Sequence, residues 1–310
     1  MIMLRNFLCL PCLALMFVCC SKTTETTTTP SEIKTISFNI PKFTVVEDVS
    51  TKTYIGEDGT SFLWSANDTI GIYPNTGSQV YFAMDGGGAA STVQFDGGGW
   101  DLKPSAVYYS YYPFIGNMYL DRTHIPVSYL GQKQTGTTGV DHIGQCDFMF
   151  TDPASSSTGN LVFNFHHLST LLYVNATLPA GTYTKLAITA PSAAFTSKGY
   201  YSLVASNPAI VSTENSNQFL LDLEGITLTE QTTFRVYMMI APVNLNGVEV
   251  TVSVLNSEKK EYQCKKTPSR AYEAGKRYGL TCNSFSEVPQ SLGLIVGDWG
   301  DGGNIGGDAE

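Results

Sequence analysis

Positive charge is what this chain has least of. Its 310 residues hold 18 Lys and Arg against 27 Asp and Glu, a net charge of −9, and no arginine falls between Arg5 and Arg122. With no basic cluster, nucleic acid is excluded as a partner, and so is peripheral adhesion to anionic lipid. Histidine is nearly as scarce: His124, His142, His166 and His167 are the full set. His166 and His167 are adjacent, and on a strand adjacent side chains point to opposite faces, so they cannot share a metal there. No His-Glu-x-x-His, Gly-x-Ser-x-Gly or spaced Cys/His set occurs. Asp141, His142, Cys146 and Asp147 fall in a mixed polar loop, and the glycine triplets at 86–88 and 97–99 lead into no helix that would cradle phosphate. The Asp- and Gly-rich tail at 298–308 has a single copy of anything like a calcium repeat. Catalysis is therefore not expected, nor a cofactor or a bound metal.

Cysteine is rare once the first twenty residues are passed. Four of the seven lie there, leaving Cys146, Cys264 and Cys282. Three cannot all pair within one chain. Cys264 and Cys282 lie in strand-like segments, where they either bridge neighbouring strands or stay as buried free thiols.

Long apolar runs are missing too. The longest opens the chain: Arg5 precedes the run Phe7 to Val18, which ends in Cys19-Cys20-Ser21-Lys22. A short positive segment followed by roughly a dozen apolar residues reads as a secretion signal, too short to span a bilayer. The cysteine at its end resembles the lipobox of bacterial lipoproteins. That resemblance implies a signal peptide over residues 1–19, cleavage before Cys20, and acylation of Cys20. Cys20 fits better than Cys19, because small Cys19 rather than bulky Val18 then precedes the cut. Several acyl chains anchor stably where one does not. Residues 20–34 form a linker, nearly all threonine from Thr23 to Pro30, with nothing apolar to bury.

What remains is rich in Gly, Thr, Ser and aromatics, with 15% charged residues and no amphipathic helical spacing. Alternation with period two takes its place. Ile36, Phe38 and Ile40 point one way; Leu161, Phe163 and Phe165 do the same. Val248, Val250, Val252 and Val254 alternate with Glu249, Thr251 and Ser253, which predicts one wet face. Phe234 to Ile240 is apolar on both sides apart from Arg235 and predicts a central strand. Turn signals separate the runs, as at Asn256-Ser257. The fold class is all-β. The polar stretch Thr151 to Gly159 divides the body into two β-sandwiches of normal size, 35–155 and 156–310, the second carrying the Gly-rich tail.

An ordered series of short motifs then carries a family resemblance. The N-terminal half holds Thr51-Lys52-Thr53-Tyr54, Phe62-Leu63-Trp64, Asn67 to Tyr73 and Tyr108-Tyr109-Ser110-Tyr111-Tyr112-Pro113. The C-terminal half holds Phe163 to Leu172, Ile240-Ala241-Pro242, Ala274-Gly275-Lys276-Arg277-Tyr278 and Ile295 to Trp299. In this order they resemble the fimbrillin-like family, surface lipoproteins of Gram-negative bacteria that include type V pilus subunits. The resemblance implies two tandem transthyretin-like β-sandwiches and non-enzymatic assembly by strand exchange. Proteolysis removes an N-terminal strand, and a strand of another subunit fills the groove. The parts that match are an exchangeable strand carrying Ile36, Phe38 and Ile40, expected at a sheet edge, and a donor strand carrying Leu292, Leu294 and Val296. Relatives in oral species are cut at arginine. Here Lys42 and Lys52 stand in the right region, so a lysine-directed cut and no cut at all both remain open, the latter making an anchor. The implied partners are other pilin subunits, in homo- or heteropolymers, and the outer membrane through the lipid anchor. A host or bacterial surface ligand completes the set, with the protein displayed at the cell surface or in a fimbrium. The alternative is a stand-alone surface lipoprotein binding a glycan or host ligand through its loops. Stacking rings from Tyr108, Tyr109, Tyr111 and Tyr112 would be exposed in that case and buried in a pilin.

Overall fold

Where the sequence alternates, the computed structural model has strands. It describes residues 33, 35–45, 63–64, 68–83, 90–96, 102–116 and 120–289. The chain enters through β1 (Thr35–Asn39), β2 (Thr44–Val45), β3 (Thr69–Pro74), β4 (Val80–Ala83) and β5 (Thr92–Asp96). Next come β6 (Tyr108–Tyr112), β7 (Ile125–Ser128), β8 (Lys133–Thr135), a single helical turn α1 (His142–Cys146) and β9 (Met149–Thr151). The long strands follow: β10 (Asn160–His167), β11 (Thr170–Leu178), β12 (Gly181–Thr189) and β13 (Phe195–Tyr201). After them run β14 (Val211–Ser216), β15 (Gln218–Leu228), β16 (Thr232–Ile240) and β17 (Val243–Asn244). The described chain closes with β18 (Val250–Asn256), β19 (Glu261–Lys266), β20 (Ala271–Tyr272), β21 (Lys276–Cys282) and β22 (Ser286–Val288).

Three larger sheets organise these strands. One has seven, in the order β4-β3-β6-β9-β10-β1-β5; one has four, β16-β11-β21-β2; one has six, β22-β19-β18-β12-β15-β8. Smaller sheets are β14-β13-β7 and β17-β20. Most pairs among the described residues are antiparallel; four are parallel, namely β11 with β21, β8 with β15, β2 with β21, and β1 with β10, 125 residues downstream. The chain thus contributes a strand to the seven-stranded sheet, crosses at Pro41–Phe43, and adds a strand to the four-stranded one.

Two apolar clusters fill the spaces. The first gathers Ile33, Ile36, Phe38, Trp64, Phe82, Leu161, Phe163 and Phe165. The second is larger and joins Leu171 to Leu178, Leu186 and Ile188, and the valines of β18, with Phe43, Tyr73 and Tyr111 at its N-terminal side. Strand β6 serves both: Tyr108 and Tyr112 enter the first cluster, Tyr111 the second. Opposite it, Gly71 has no side chain because a Cβ there would run into the Tyr111 ring.

Three expectations change. The polar stretch after Thr151 is a connection between β9 and β10, antiparallel neighbours in one sheet, so that sheet continues across residue 155. Strand β18 has its wet face only in part: Glu249 is exposed and Thr251 half-buried, but Ser253 is covered. Strand β16 is apolar on both faces yet sits at the end of its sheet, paired among the described residues only with β11. Its outer edge is closed by side chains. Gln132 Nε2 donates to the Met239 carbonyl at 2.6 Å while Gln132 Oε1 accepts Met239 N–H at 2.9 Å. Gln134 repeats this, with Nε2 donating to the Arg235 carbonyl at 3.0 Å and Oε1 accepting Tyr237 N–H at 2.9 Å. A primary amide presents a donor and an acceptor much as a peptide group does, so two buried glutamines imitate a missing strand. His142 adds a third contact, its Nε2–H donating to the Tyr237 carbonyl at 2.9 Å.

The N-terminal strand and its slot as candidate functional site

Strand β1 is held on both sides. Ile36 and Phe38 stand opposite Leu161 and Phe163 of β10, and opposite Phe95 and Val93 of β5. This corrects the expected edge position, because β5 lies outside β1 and takes the edge. Period-two patterning reports which face is buried and is silent on how many neighbours a strand has. The inward side chains are fully covered, with Ile36 and Phe38 at 0% exposure and Ile40 at 7%. The Phe38 ring stacks on Phe163 with centroids 5.5 Å apart and planes 9° apart, and packs against Phe82 and Phe165. Trp64 Nε1–H donates to the Phe38 carbonyl at 3.3 Å. On the opposite face Asn39 donates to Asn164 at 2.9 Å. Burial of each apolar side chain stabilises by about 1.5–3 kcal/mol. Taking β1 away would leave an apolar slot bordered by two rows of unpaired backbone groups, on β10 and on β5.

The chain leaves this slot through Pro41, Lys42 and Phe43. Lys42 is exposed, whereas Phe43 is buried. Phe43 lies over the imidazole of His167, centroids 3.9 Å apart and planes 21° apart. His167 Nε2–H donates to the Pro41 carbonyl at 3.0 Å, and Nδ1–H donates to Asp147 Oδ1 at 2.9 Å. Both partner groups are oxygens, so the pair must carry a proton between Nδ1 and the carboxylate besides the one on Nε2. Burial pushes the Asp147 carboxyl up, and the neighbouring His167 pulls it back in part. Sequence reasoning placed His166 and His167 on opposite faces, and they are: His166 is exposed beside Asp152 at 3.1 Å, His167 is buried. It missed the link from His167 to the N-terminal segment. The only signal for it was that Pro41 breaks the alternation while Phe43 remains apolar.

The other candidate chemistry dissolves into structure. Burial pushes the Cys146 thiol up to about 12, with Asp147 adding to it, so this is no reactive thiolate. Burial lowers the pKa of His142, which keeps its ring neutral at the edge of β16. Cys264 and Cys282 are free buried thiols, and burial followed by the adjacent Cys264 thiol pushes Cys282 up. Among the four tyrosines of β6, three are buried and Tyr109 is half-covered, with the Arg122 guanidinium 5.6 Å from its ring centre. They form no exposed stacking platform. Cys20, Lys52, Leu292, Leu294 and Val296 lie outside the described residues. Among the described residues no helix is long and apolar enough to cross a membrane, which says nothing of strands, and no group of three or more metal-ligating side chains occurs.

The sequence profile of the fimbrillin-like family matches residues 51–299. No curated protein sequence matches the chain. Among solved structures, a candidate cell adhesion protein from Bacteroides ovatus superposes with a TM-score of 0.52 at 16% identity, over 84% of this chain and 97% of that one. The tip fimbrial protein Mfa3 of Porphyromonas gingivalis, truncated at its C-terminus, gives a TM-score of 0.37 at 10% identity, over 69% and 87%. The fimbrial anchor protein Mfa2 from the same organism gives 0.31 at 10%, over 82% and 95%. At 16% identity the likeness to the Bacteroides ovatus protein is one of fold.

Proposed function

The chain belongs to the fimbrillin-like family, and from that premise we propose that it is a non-enzymatic structural or adhesive component of a bacterial surface pilus. It assembles by exchanging β1 for a strand of another subunit. The observation that carries this reading is the internal slot. The first described strand, with Ile36, Phe38 and Ile40 inward, fills a two-sided gap between β10 and β5 and leaves it through an exposed lysine. A strand in that position is separable by one cut on its C-terminal side, and the opened slot offers an incoming strand both hydrogen-bond ladders and apolar pockets. The segment carrying Leu292, Leu294 and Val296 supplies the alternating apolar residues such a slot requires. Lipidation at Cys20 tethers the uncut form to the outer membrane, and a cut at Lys42 or Lys52 frees the body from that tether. The partners in this reading are other subunits of the same family.

The buried tyrosines of β6 weigh against a stand-alone glycan-binding lipoprotein. Mass analysis of the N-terminus of protein recovered from cells tests the assignment. A start after Lys42 or Lys52 marks a polymerising subunit, and an acylated Cys20 marks an anchor that keeps its own strand. A soluble product carrying neither end, found free of any fimbrial material, would overturn the pilus assignment.

A further inference from the structure

We propose that His167 is a positioning residue that governs the departure of the N-terminal strand, a latch gripping the chain on both sides of Lys42. The inference rests on the reading that β1 is exchangeable. Strand β1 belongs to the seven-stranded sheet and β2 to the four-stranded one, so the chain from Ile40 to Phe43 passes from one sheet to the other. At that crossing the chain is fastened to one side chain. The Pro41 carbonyl accepts the Nε2–H of His167 at 3.0 Å, and the Phe43 ring lies against the same imidazole at 3.9 Å. The exposed Lys42 sits between the two held residues. His167 is the last residue of β10, the strand that pairs with β1, so the latch is rooted in the wall of the slot it closes.

The imidazole is itself held rigidly. Its side chain is 1% exposed and that of Asp147 0%, with Nδ1 2.8–2.9 Å from the carboxylate oxygens. A buried imidazole and carboxyl pair that shares a proton is costly to desolvate and adds little stability. Its geometry does confer one thing, a fixed Nε2–H aimed at the Pro41 carbonyl. A cut after Lys42 would leave both new ends still attached to His167. Strand release then requires breaking this grip as well as the β1 ladders, which delays opening until an incoming strand competes for the slot.

Hydrogen exchange on the full-length protein tests the latch without any cleavage. His167→Phe keeps a ring against Phe43 and removes both hydrogen bonds. His167→Phe combined with Asp147→Asn also removes the buried carboxyl that the single change leaves without its imidazole partner. In both proteins the amides of residues 35–45 should exchange about tenfold faster than in the parent, while those of β11 and β18 keep their protection. Unchanged exchange at 35–45 in the double variant would overturn the proposal, as would acceleration spread equally over the β11 and β18 core. The outcome is separable from the pilus reading: a chain whose β1 loosens as expected but which never associates after losing β1 keeps the latch and sinks strand exchange.

Discussion

Strands β1 and β16 show two ways of completing a sheet. At β1 a whole strand lies between two others, carries three inward apolar side chains, and connects to the rest through an exposed lysine. At β16 no further strand is present among the described residues, and the amides of Gln132 and Gln134 satisfy the outer edge from within. The first closure is joined to the body downstream by a single stretch of chain, so the proposed cut would free it. The second cannot leave, because Gln132 and Gln134 flank and belong to β8, whose backbone is tied to β15 in the other sheet. Under the proposed strand exchange, one slot has to stay available and the other buried edges have to stay closed, and the two closures differ in chemistry accordingly.

The broadest way to break this comparison is alkali, which removes both closures together. Burial raises the phenols of Tyr112 and Tyr129 well above the ordinary value of 10.0, Tyr201 likewise, and Tyr183 to about 12. A raised folded pKa means that the unfolded chain loses the proton first. The stability these groups contribute is complete below pH 10 and falls as pH rises toward and beyond 12. Tyrosinate absorbance followed together with circular dichroism should show these phenols ionising only as the sheets unfold. Ionisation near pH 10 with the sheets intact would contradict their burial.

Next in size is Phe38→Ala, expected to cost about 3–5 kcal/mol because the ring is fully buried against Phe163, Phe82 and Phe165. Urea unfolding measures it, and a cost under 1 kcal/mol would mean that the slot does not depend on its strand. Gln134→Leu is expected to cost about 2–3 kcal/mol, since Tyr237 N–H and the Arg235 carbonyl lose their partner. It should also promote self-association through the uncovered β16 edge, visible by light scattering. An unchanged monomer of unchanged stability would show that the amide seal is dispensable. The smallest effect belongs to Lys42→Gln, within about 0.5 kcal/mol of the parent in urea. That variant should resist lysine-specific cleavage at the crossing, and continued cutting between residues 42 and 43 would remove Lys42 from the account.

Much of this architecture was legible in the sequence. The alternation of Ile36, Phe38 and Ile40, and of Leu161, Phe163 and Phe165, marked two strands that prove to be direct neighbours in register. Periodicity records burial, however, and burial does not distinguish an interior strand from a sealed edge. Phe234 to Ile240 therefore read as central although it is terminal, and β1 read as an edge although it is internal. The polar run after Thr151 looked like a spacer because a connection between strands of one sheet uses the same small residues. The grip of His167 on Pro41 joins residues 126 apart and left no local pattern to detect.

The central claim is that β1 fills a slot made to accept another subunit's strand. Its most direct test replaces Lys42 with the recognition sequence of a highly specific protease in the full chain, cuts the folded protein, and follows molar mass by light scattering. The account predicts a monomer before cleavage, and after it loss of the N-terminal fragment and growth into oligomers in which the slot is refilled. A cut protein that sheds the fragment and remains monomeric would contradict it.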